Sequence, residues 1–240
     1  MNATTALSVE NLGVSYGGIR AVSGVRFDVA PARCVGVFGA NGAGKTSILR
    51  AIGGLVPARE GTRVRLAGER IDGLDAARKA RAGLAHVLEG RHVFPALSVR
   101  ENLVLGMSAR RDVESDPHGP MGEMLQILPE LTSQLDKAAG SLSGGQQQML
   151  AIGRALIAEP TVVMMDEPTN GLAPMLVDRV IEIVNAVVRG GAAVLIVEQR
   201  LEVARAVCSE VHVLQRGAII STTTGQDDVL EGVLYEAYLT

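Results

Sequence analysis

The sequence predicts an α/β fold in which a mostly parallel sheet is covered by helices on both faces. Three observations lead there. Short, almost uninterrupted apolar runs, Thr161 to Met165 and Ala193 to Val197 among them, have the length of strands buried on both sides. They alternate with amphipathic stretches of helical period, Met175 to Val188 and Leu201 to Val207. A further apolar run, Cys34 to Phe38, leads directly into a glycine-rich loop and then a helix.

The elements follow in order. Leu7 to Glu10 and Val25 to Val29 read as β-like runs that open the chain. The helix after the glycine-rich loop should start near Lys45 and reach about Ile52, where Gly53 and Gly54 end it. Leu84 to Val87 is another short strand. From Ser98 to about Ala158 the pattern is mostly helical, broken by the polar stretch Arg110 to Pro120, and it reads as an insertion into the sheet. Val211 to Leu214 supplies a last strand. No internal repeat or low-complexity segment is visible.

Composition excludes several classes. Hydrophobic residues are 47% and charged residues 20% of the 240, which suits a packed globular chain. The net charge of -3 gives no electrostatic footprint for nucleic acid. With aromatics at 2% and no Trp, stacking platforms for single strands are missing too. Arg78, Lys79 and Arg81 form the densest basic group and read as a solvated helix face. Cys34 and Cys208 match no metal spacing and read as small buried thiols. No apolar run approaches the ~18 residues of a membrane span, and MNATTALSVEN lacks the regions of a secretory signal. The expectation is a cytoplasmic protein that meets a membrane only through partners.

Gly39-Ala40-Asn41-Gly42-Ala43-Gly44-Lys45-Thr46 matches GxxxxGK[ST] in full. Such a loop turns successive backbone N–H groups toward phosphates, and the helix that follows adds its positive N-terminal end. Lys45 would reach the β- and γ-phosphates, and the Thr46 hydroxyl would ligate Mg²⁺, with Ser47 next to it. The strand before the loop and the helix after it are the context that separates this motif from a chance turn. Val162 to Met165 is an apolar strand that ends in Asp166 and Glu167. Strand ends are where α/β sheets place ligand chemistry. Asp166 would hold Mg²⁺ through water, and Glu167 would act as general base on the attacking water. Asp166-Glu167-Pro168 alone could be a polar turn; the phosphate loop upstream favours the catalytic reading.

Ser141-Leu142-Ser143-Gly144-Gly145-Gln146 contains LSGGQ, and with it the chain is identified as resembling the ABC ATPases over essentially its whole length. The resemblance implies a P-loop core with an N-terminal antiparallel β subdomain and an inserted α-helical subdomain. Residues 1–87 and 161–240 would form the ATP-binding core and about 88–160 the helical part. Ser143, Gly144, Gly145 and Gln146 would cap the γ-phosphate of ATP held by a second subunit, so that one chain carries two half-sites. Tyr16 falls where the family's adenine-stacking aromatic lies, with Val22 as packing partner; an edge-strand core role for Tyr16 is the alternative. Asn170-Gly171-Leu172-Ala173 occupies the D-loop, with Ala173 where many relatives carry Asp. Glu89 stands where the family's Gln loop has Gln, and would serve Mg²⁺ or the lytic water. Gln199 stands where the switch loop has His.

Those two variants, with Asn170 to Pro174, YGGIR from Tyr16 to Arg20 and the ending Glu236-Ala237-Tyr238-Leu239, resemble the LivF-type ATPases of branched-chain amino-acid importers. The implied partners are a LivG-type second ATPase, or a second copy of the chain, two membrane permease subunits and, indirectly, an extracytoplasmic amino-acid-binding protein. Val93, Phe94 and Leu97 are the candidate permease-docking cluster, with a core role for Phe94 as the alternative. The cofactors implied are ATP and Mg²⁺. Other readings stay open: an importer of urea, amides or other solutes, an exporter of lipopolysaccharide type, or a single-cassette ABC ATPase outside transport. A nucleotide-gated clamp without turnover is disfavoured by Glu167.

Overall fold

The computed structural model describes residues 5–110 and 118–239. Most of the polar stretch expected between Arg110 and Pro120 thus lies outside the described residues, as does the start of the N-terminal segment. The chain opens with β1 (Leu7–Tyr16) and β2 (Ile19–Val29), longer than the expected runs and joined by a tight hairpin. Gly17 and Gly18 have φ of 52 and 86°, the left-handed pair that a two-residue hairpin needs between the facing residues Tyr16 and Ile19. After β3 (Cys34–Phe38) and α1 (Lys45–Ile52), two strands return to the first pair: β4 (Arg63–Leu66) and β5 (Glu69–Arg70). They complete an antiparallel sheet in the order β2-β1-β4-β5.

Next come α2 (Ala76–Arg81), β6 (Leu84–Val87), α3 (Val99–Met107), α4 (His118–Ile127), two short 3₁₀ turns at Pro129–Gln134 and Ala139–Ser141, and α5 (Gly144–Leu156). The second half alternates as expected: β7 (Val162–Asp166), α6 (Pro174–Arg189), β8 (Ala193–Glu198), α7 (Leu201–Val207), β9 (Glu210–Gln215), then β10 (Ala218–Thr223) and α8 (Leu230–Leu239). The large sheet runs β10-β9-β3-β8-β7-β6, with β10 antiparallel at one edge and the other pairings parallel.

Alternate residues of the parallel strands feed two separate cores. Val163 and Met165 of β7, with Val194 and Ile196 of β8, face α3, α5, α6 and α7. Val162, Met164, Leu195 and Val197 face α1 and the antiparallel sheet. This period of two, with both faces apolar, is why the strands read as continuous hydrophobic runs. The register brings the carboxyl ends of three strands level: Phe38 lies beside Glu198, and Asp166 beside Val197. Everything that follows from β3, β7 and β8 therefore emerges at one edge.

Two expectations need correction. Lys79 is not part of a solvated face. It is 2% exposed, and its Nζ donates to the carbonyl of Ile52 at 2.7 Å, neutralising the C-terminal end of α1. Of the proposed docking cluster, only Phe94 is exposed, while Val93 and Leu97 are half-buried. The two cysteines are buried as expected, and the fold brings their sulfurs to 4.0 Å.

His86 on β6 has both ring nitrogens buried without a hydrogen-bond partner, and burial, helped by the charge of Arg50, lowers its pKa to about 4. Burial lowers His212 to about 4 as well. Between pH 6.5 and 4 the unfolded chain takes up these protons and the folded chain does not. The stability is complete above the unfolded value and is lost as pH falls, by about 1 kcal/mol per histidine at pH 5.5. Urea unfolding at pH 7.5 and 5.5 checks this: His86→Leu should reduce the acid loss without weakening the fold at pH 7.5. An unchanged acid loss contradicts it.

Candidate active site

The loop from Gly39 to Gly44 leaves the end of β3 and wraps the start of α1. Its final turn is possible only with glycine. Gly44 has φ of 109°, and a Cβ there would lie 2.6 Å from the carbonyl oxygen of Ala21. No side chain caps α1 and no acid stands in its first turn, so its N-terminal amides face an open cavity with their charge uncompensated. That cavity, about 270 Å³, is lined by Ala21, Asn41, Gly42, Gly44, Lys45, Thr46, Ser47, Glu89 and Glu167.

Lys45 lies over the loop, 4% exposed. Its Nζ donates to the carbonyls of Gly39 at 2.7 Å and Ala40 at 3.1 Å, and pairs with Glu167 Oε1 at 3.2 Å. The Gln199 amide donates to the same Glu167 oxygen at 2.9 Å and to Asn41 Oδ1 at 2.7 Å. Glu167 itself has φ of 43°, unusual for a residue with a side chain, and its amide donates to the Val197 carbonyl at 3.0 Å. Lys45, Glu167 and Gln199, from different parts of the chain, are thus one hydrogen-bonded group, and Glu89, the fourth residue named for hydrolysis, lines the same cavity without joining that group.

Asp166 sits one residue deeper. Thr46 Oγ1 donates to its Oδ1 at 3.0 Å, while Oδ2 is buried with no partner. Burial raises the Asp166 pKa to about 6, against the Thr46 hydrogen bond, and the charges of Glu89 and Glu167 push the same way as burial. An orphaned carboxylate oxygen beside a hydroxyl, with two further carboxylates close by, is a donor set that suits a hard divalent cation. Residues 45, 46, 89 and 167 line one cavity, with Asp166 bonded to Thr46 and Gln199 to Glu167 beside it.

Two other assignments stand apart from it. Tyr16 is 43% exposed at the end of β1, and its hydroxyl lies 3.4 Å from Ser47 Oγ. Its ring is free to meet a ligand beside the loop. Val22 is fully buried behind Gly44, with Cγ2 3.3 Å from where a Cβ on that glycine would lie. It supports the loop and offers no surface to a base, a correction to its expected role.

The signature segment lies on α5. Ser143 caps the helix in a reciprocal box: its Oγ accepts from the Gln146 amide at 3.3 Å, and Gln146 Oε1 accepts from the Ser143 amide at 3.0 Å. A Cβ on Gly145 would fall 2.2 Å from a methyl of Leu176 on α6, and one on Gly144 2.5 Å from the Arg91 guanidinium. A larger residue at either position would have to displace the tip of the Leu176 or Arg91 side chain. Gly145 is buried, Gly144 is half-buried, and the first turn of α5 holds no acid.

The reading of motifs missed four residues that shape these loops. Asn102, fully buried, bonds to both the amide and the carbonyl of Phe94. Arg154 donates to the His92 carbonyl at 2.7 Å and lies 5.2 Å from the Phe94 ring centroid. Glu198 and Thr169 bond to one another beneath Glu167. Only Glu198 had a sequence signal, an acid ending an apolar strand, the same signal that marked Asp166.

The family model for the ABC transporter matches residues 22–170. The chain is 37% identical, over 97% of its length and 99% of the relative's, to the high-affinity branched-chain amino acid transport ATP-binding protein BraG of Pseudomonas aeruginosa. It is 30% identical to the lipopolysaccharide export system ATP-binding protein LptB of Haemophilus influenzae, covering 97% of this chain and 96% of that one. Among solved structures, the ADP conformation of MJ1267, an ATP-binding cassette of an ABC transporter, superposes with a TM-score of 0.84 at 26% identity over 98% of each chain. With the phosphate loop, the Asp166-Glu167 strand end and the capped signature helix in one fold, the chain belongs to the ABC transporter family as an ATP-binding, ATP-hydrolysing cassette.

Proposed function

We propose that this chain powers uptake of branched-chain or other hydrophobic amino acids across the cytoplasmic membrane, as the ATPase subunit of an importer. The observation that carries this is the end-to-end similarity to BraG, 37% over 97% of this chain. In the same reading, residues 1–87 and 161–240 are the ATP-binding core and about 88–160 the helical subdomain. No helix among the described residues is long and apolar enough to cross a membrane. The chain then sits on the cytoplasmic face, held by two permease subunits, and works with a second ATPase, a LivG-type partner or another copy. The similarity to LptB supports export as the second reading. Permease docking belongs in the groove of about 510 Å³ where Phe94, Leu105 and Leu55 are exposed.

The geometry supports a role for each residue in this reading. Lys45 and the N-terminal amides of α1 hold the phosphates of ATP, and Tyr16 stacks on its base. Glu167 takes the proton of the attacking water, and Gln199 beside it donates a hydrogen bond to the γ-phosphate. Thr46 and Asp166, with Glu89 beside them, hold Mg²⁺, which supplies positive charge against the phosphates. Ser143, Gly144, Gly145 and Gln146 meet the γ-phosphate on the partner subunit, so closure of two subunits depends on ATP binding better to the closed state.

Loss of the chain from its host should abolish uptake of labelled leucine, isoleucine and valine while ribose uptake continues. Unchanged leucine uptake, with lipopolysaccharide failing to reach the cell surface, would move the assignment to export.

In the purified complex with the partner's site inactivated, Glu167→Gln should lower turnover ~10²–10⁴-fold with ATP binding retained, as for other general bases. Lys45→Ala should instead lose nucleotide binding, since it removes the charge and leaves the Gly39 and Ala40 carbonyls unpaired. Turnover and binding measured on one preparation decide both; full turnover in Glu167→Gln removes it from its role.

Gln199 donates a neutral hydrogen bond where a protonated His would donate a charged one, about twice as strong. This site is accordingly the slower of two, and a partner with His in its switch loop sustains most hydrolysis. Gln199→His, assayed with the partner's site inactivated, should raise the rate of this chain's own site. An unchanged rate shows that the missing charge does not limit it.

A further inference from the structure

The carboxylate of Glu198 is 3% exposed at the last position of β8, one residue before Gln199. A buried acid is costly unless its oxygens are met by donors. Here three donors meet it. Oε1 accepts from the amide of Thr169 at 3.0 Å and from its hydroxyl at 2.5 Å. Oε2 accepts from the amide of Gln199 at 3.0 Å. Thr169 is fully buried and belongs to the turn in which the Asn170 amide donates to the Glu167 carbonyl at 3.0 Å. One carboxylate therefore ties together the two segments that reach the phosphate cavity, the turn after Glu167 and the start of the switch loop.

We propose that Glu198 is a positioning residue for ATP hydrolysis, holding Glu167 and Gln199 in one frame through its two oxygens. The Glu167 amide on the Val197 carbonyl at 3.0 Å joins the two strand ends, but it does not reach Thr169 or Gln199. Gln199 meets Glu167 through a side-chain bond of 2.9 Å, which a rotamer change would break, whereas the Glu198 bonds grip both backbones. A general base displaced by about 1 Å can lose ~10²-fold in rate. The nucleotide-holding groups, Lys45 and the amides of α1, do not touch Glu198, so binding and turnover separate.

The proposal rests on the hydrolytic reading of the site and is tested beside it. Glu198→Gln keeps the shape but replaces one accepting oxygen by an amide that can only donate, facing the N–H of Thr169 or Gln199. In the purified full-length chain with its partner ATPase mutated at its own general base, kcat should fall ~10–100-fold, with KM for ATP and the affinity for a fluorescent ATP analogue within ~3-fold of the parent. Thr169→Val removes one donor and should lower kcat ~3–10-fold. The two together should lose no more than Glu198→Gln alone, because both act through one linkage. Glu167→Gln run in parallel reports on the hydrolytic reading itself. Loss of turnover in Glu167→Gln with full kcat in Glu198→Gln overturns the positioning role and leaves the site standing. Parallel loss of affinity and kcat in Glu198→Gln overturns it too, since the residue would then be holding the fold. If Glu198→Gln does not fold, Thr169→Val decides: reduced kcat at unchanged affinity supports the proposal, and unchanged kcat ends it.

Discussion

The buried ammonium of Lys45 is the charge around which the rest of the site is arranged. An ion taken out of water costs several kcal/mol unless close partners offset it. Lys45 meets that demand with two loop carbonyls and Glu167 Oε1 at 3.2 Å. Each partner carries a further requirement. The carbonyls of Gly39 and Ala40 can turn inward only if the loop curls as its glycines allow. Glu167 can reach the amine only if β7 ends level with β3, with β8 between them in register. The apolar strands, with their two covered faces, fix that register; the site is a consequence of how the sheet is stacked.

The negative charges obey the same logic. Glu89, Asp166 and Glu167 lie close together, and the deepest of them, Asp166, has its pKa raised to about 6 chiefly by burial. Of the three acids only Glu167 is paired with the amine, and the other two keep their charge close to it without such a partner. They are an arrangement that gains from a divalent cation and a bound polyphosphate, which brings the mutual repulsion into balance. The signature helix shows the complementary case: a capped N-terminus whose first turn holds no acid, suited to an anion.

Much of this was legible in the sequence, for identifiable reasons. The phosphate loop, the strand end at Asp166 and Glu167 and the signature helix announce themselves because their function needs fixed residue types at fixed spacing. The central strands were legible because both faces are apolar. The elements that escaped were those whose existence depends on distant partners. β4 and β5 are short, with charged residues on the outer face; β4 pairs with β1 across about fifty residues of chain, and β5 pairs with β4. β10 carries a mixed pattern as an antiparallel edge strand. Lys79 was misjudged because its charge, not its surroundings, is what sequence displays; the carbonyls it meets lie at the end of another helix. Val22 shows the same limit, since its position near the loop was visible but its burial behind Gly44 was not. Glu198 lay one residue from a recognised position, and only the turn folded against it reveals what it holds.

The central claim is that Lys45, Glu167, Gln199 and Asp166 form one site for the phosphates of ATP and Mg²⁺. The most direct test is a crystal structure of the full chain carrying Glu167→Gln with Mg²⁺ and ATP bound. The account predicts Lys45 Nζ on the β- and γ-phosphate oxygens, the Gln199 amide on the γ-phosphate, and Thr46 and Asp166 facing the metal. A triphosphate bound elsewhere, or one bound in the loop with Lys45 still on the Gly39 and Ala40 carbonyls alone, would contradict it.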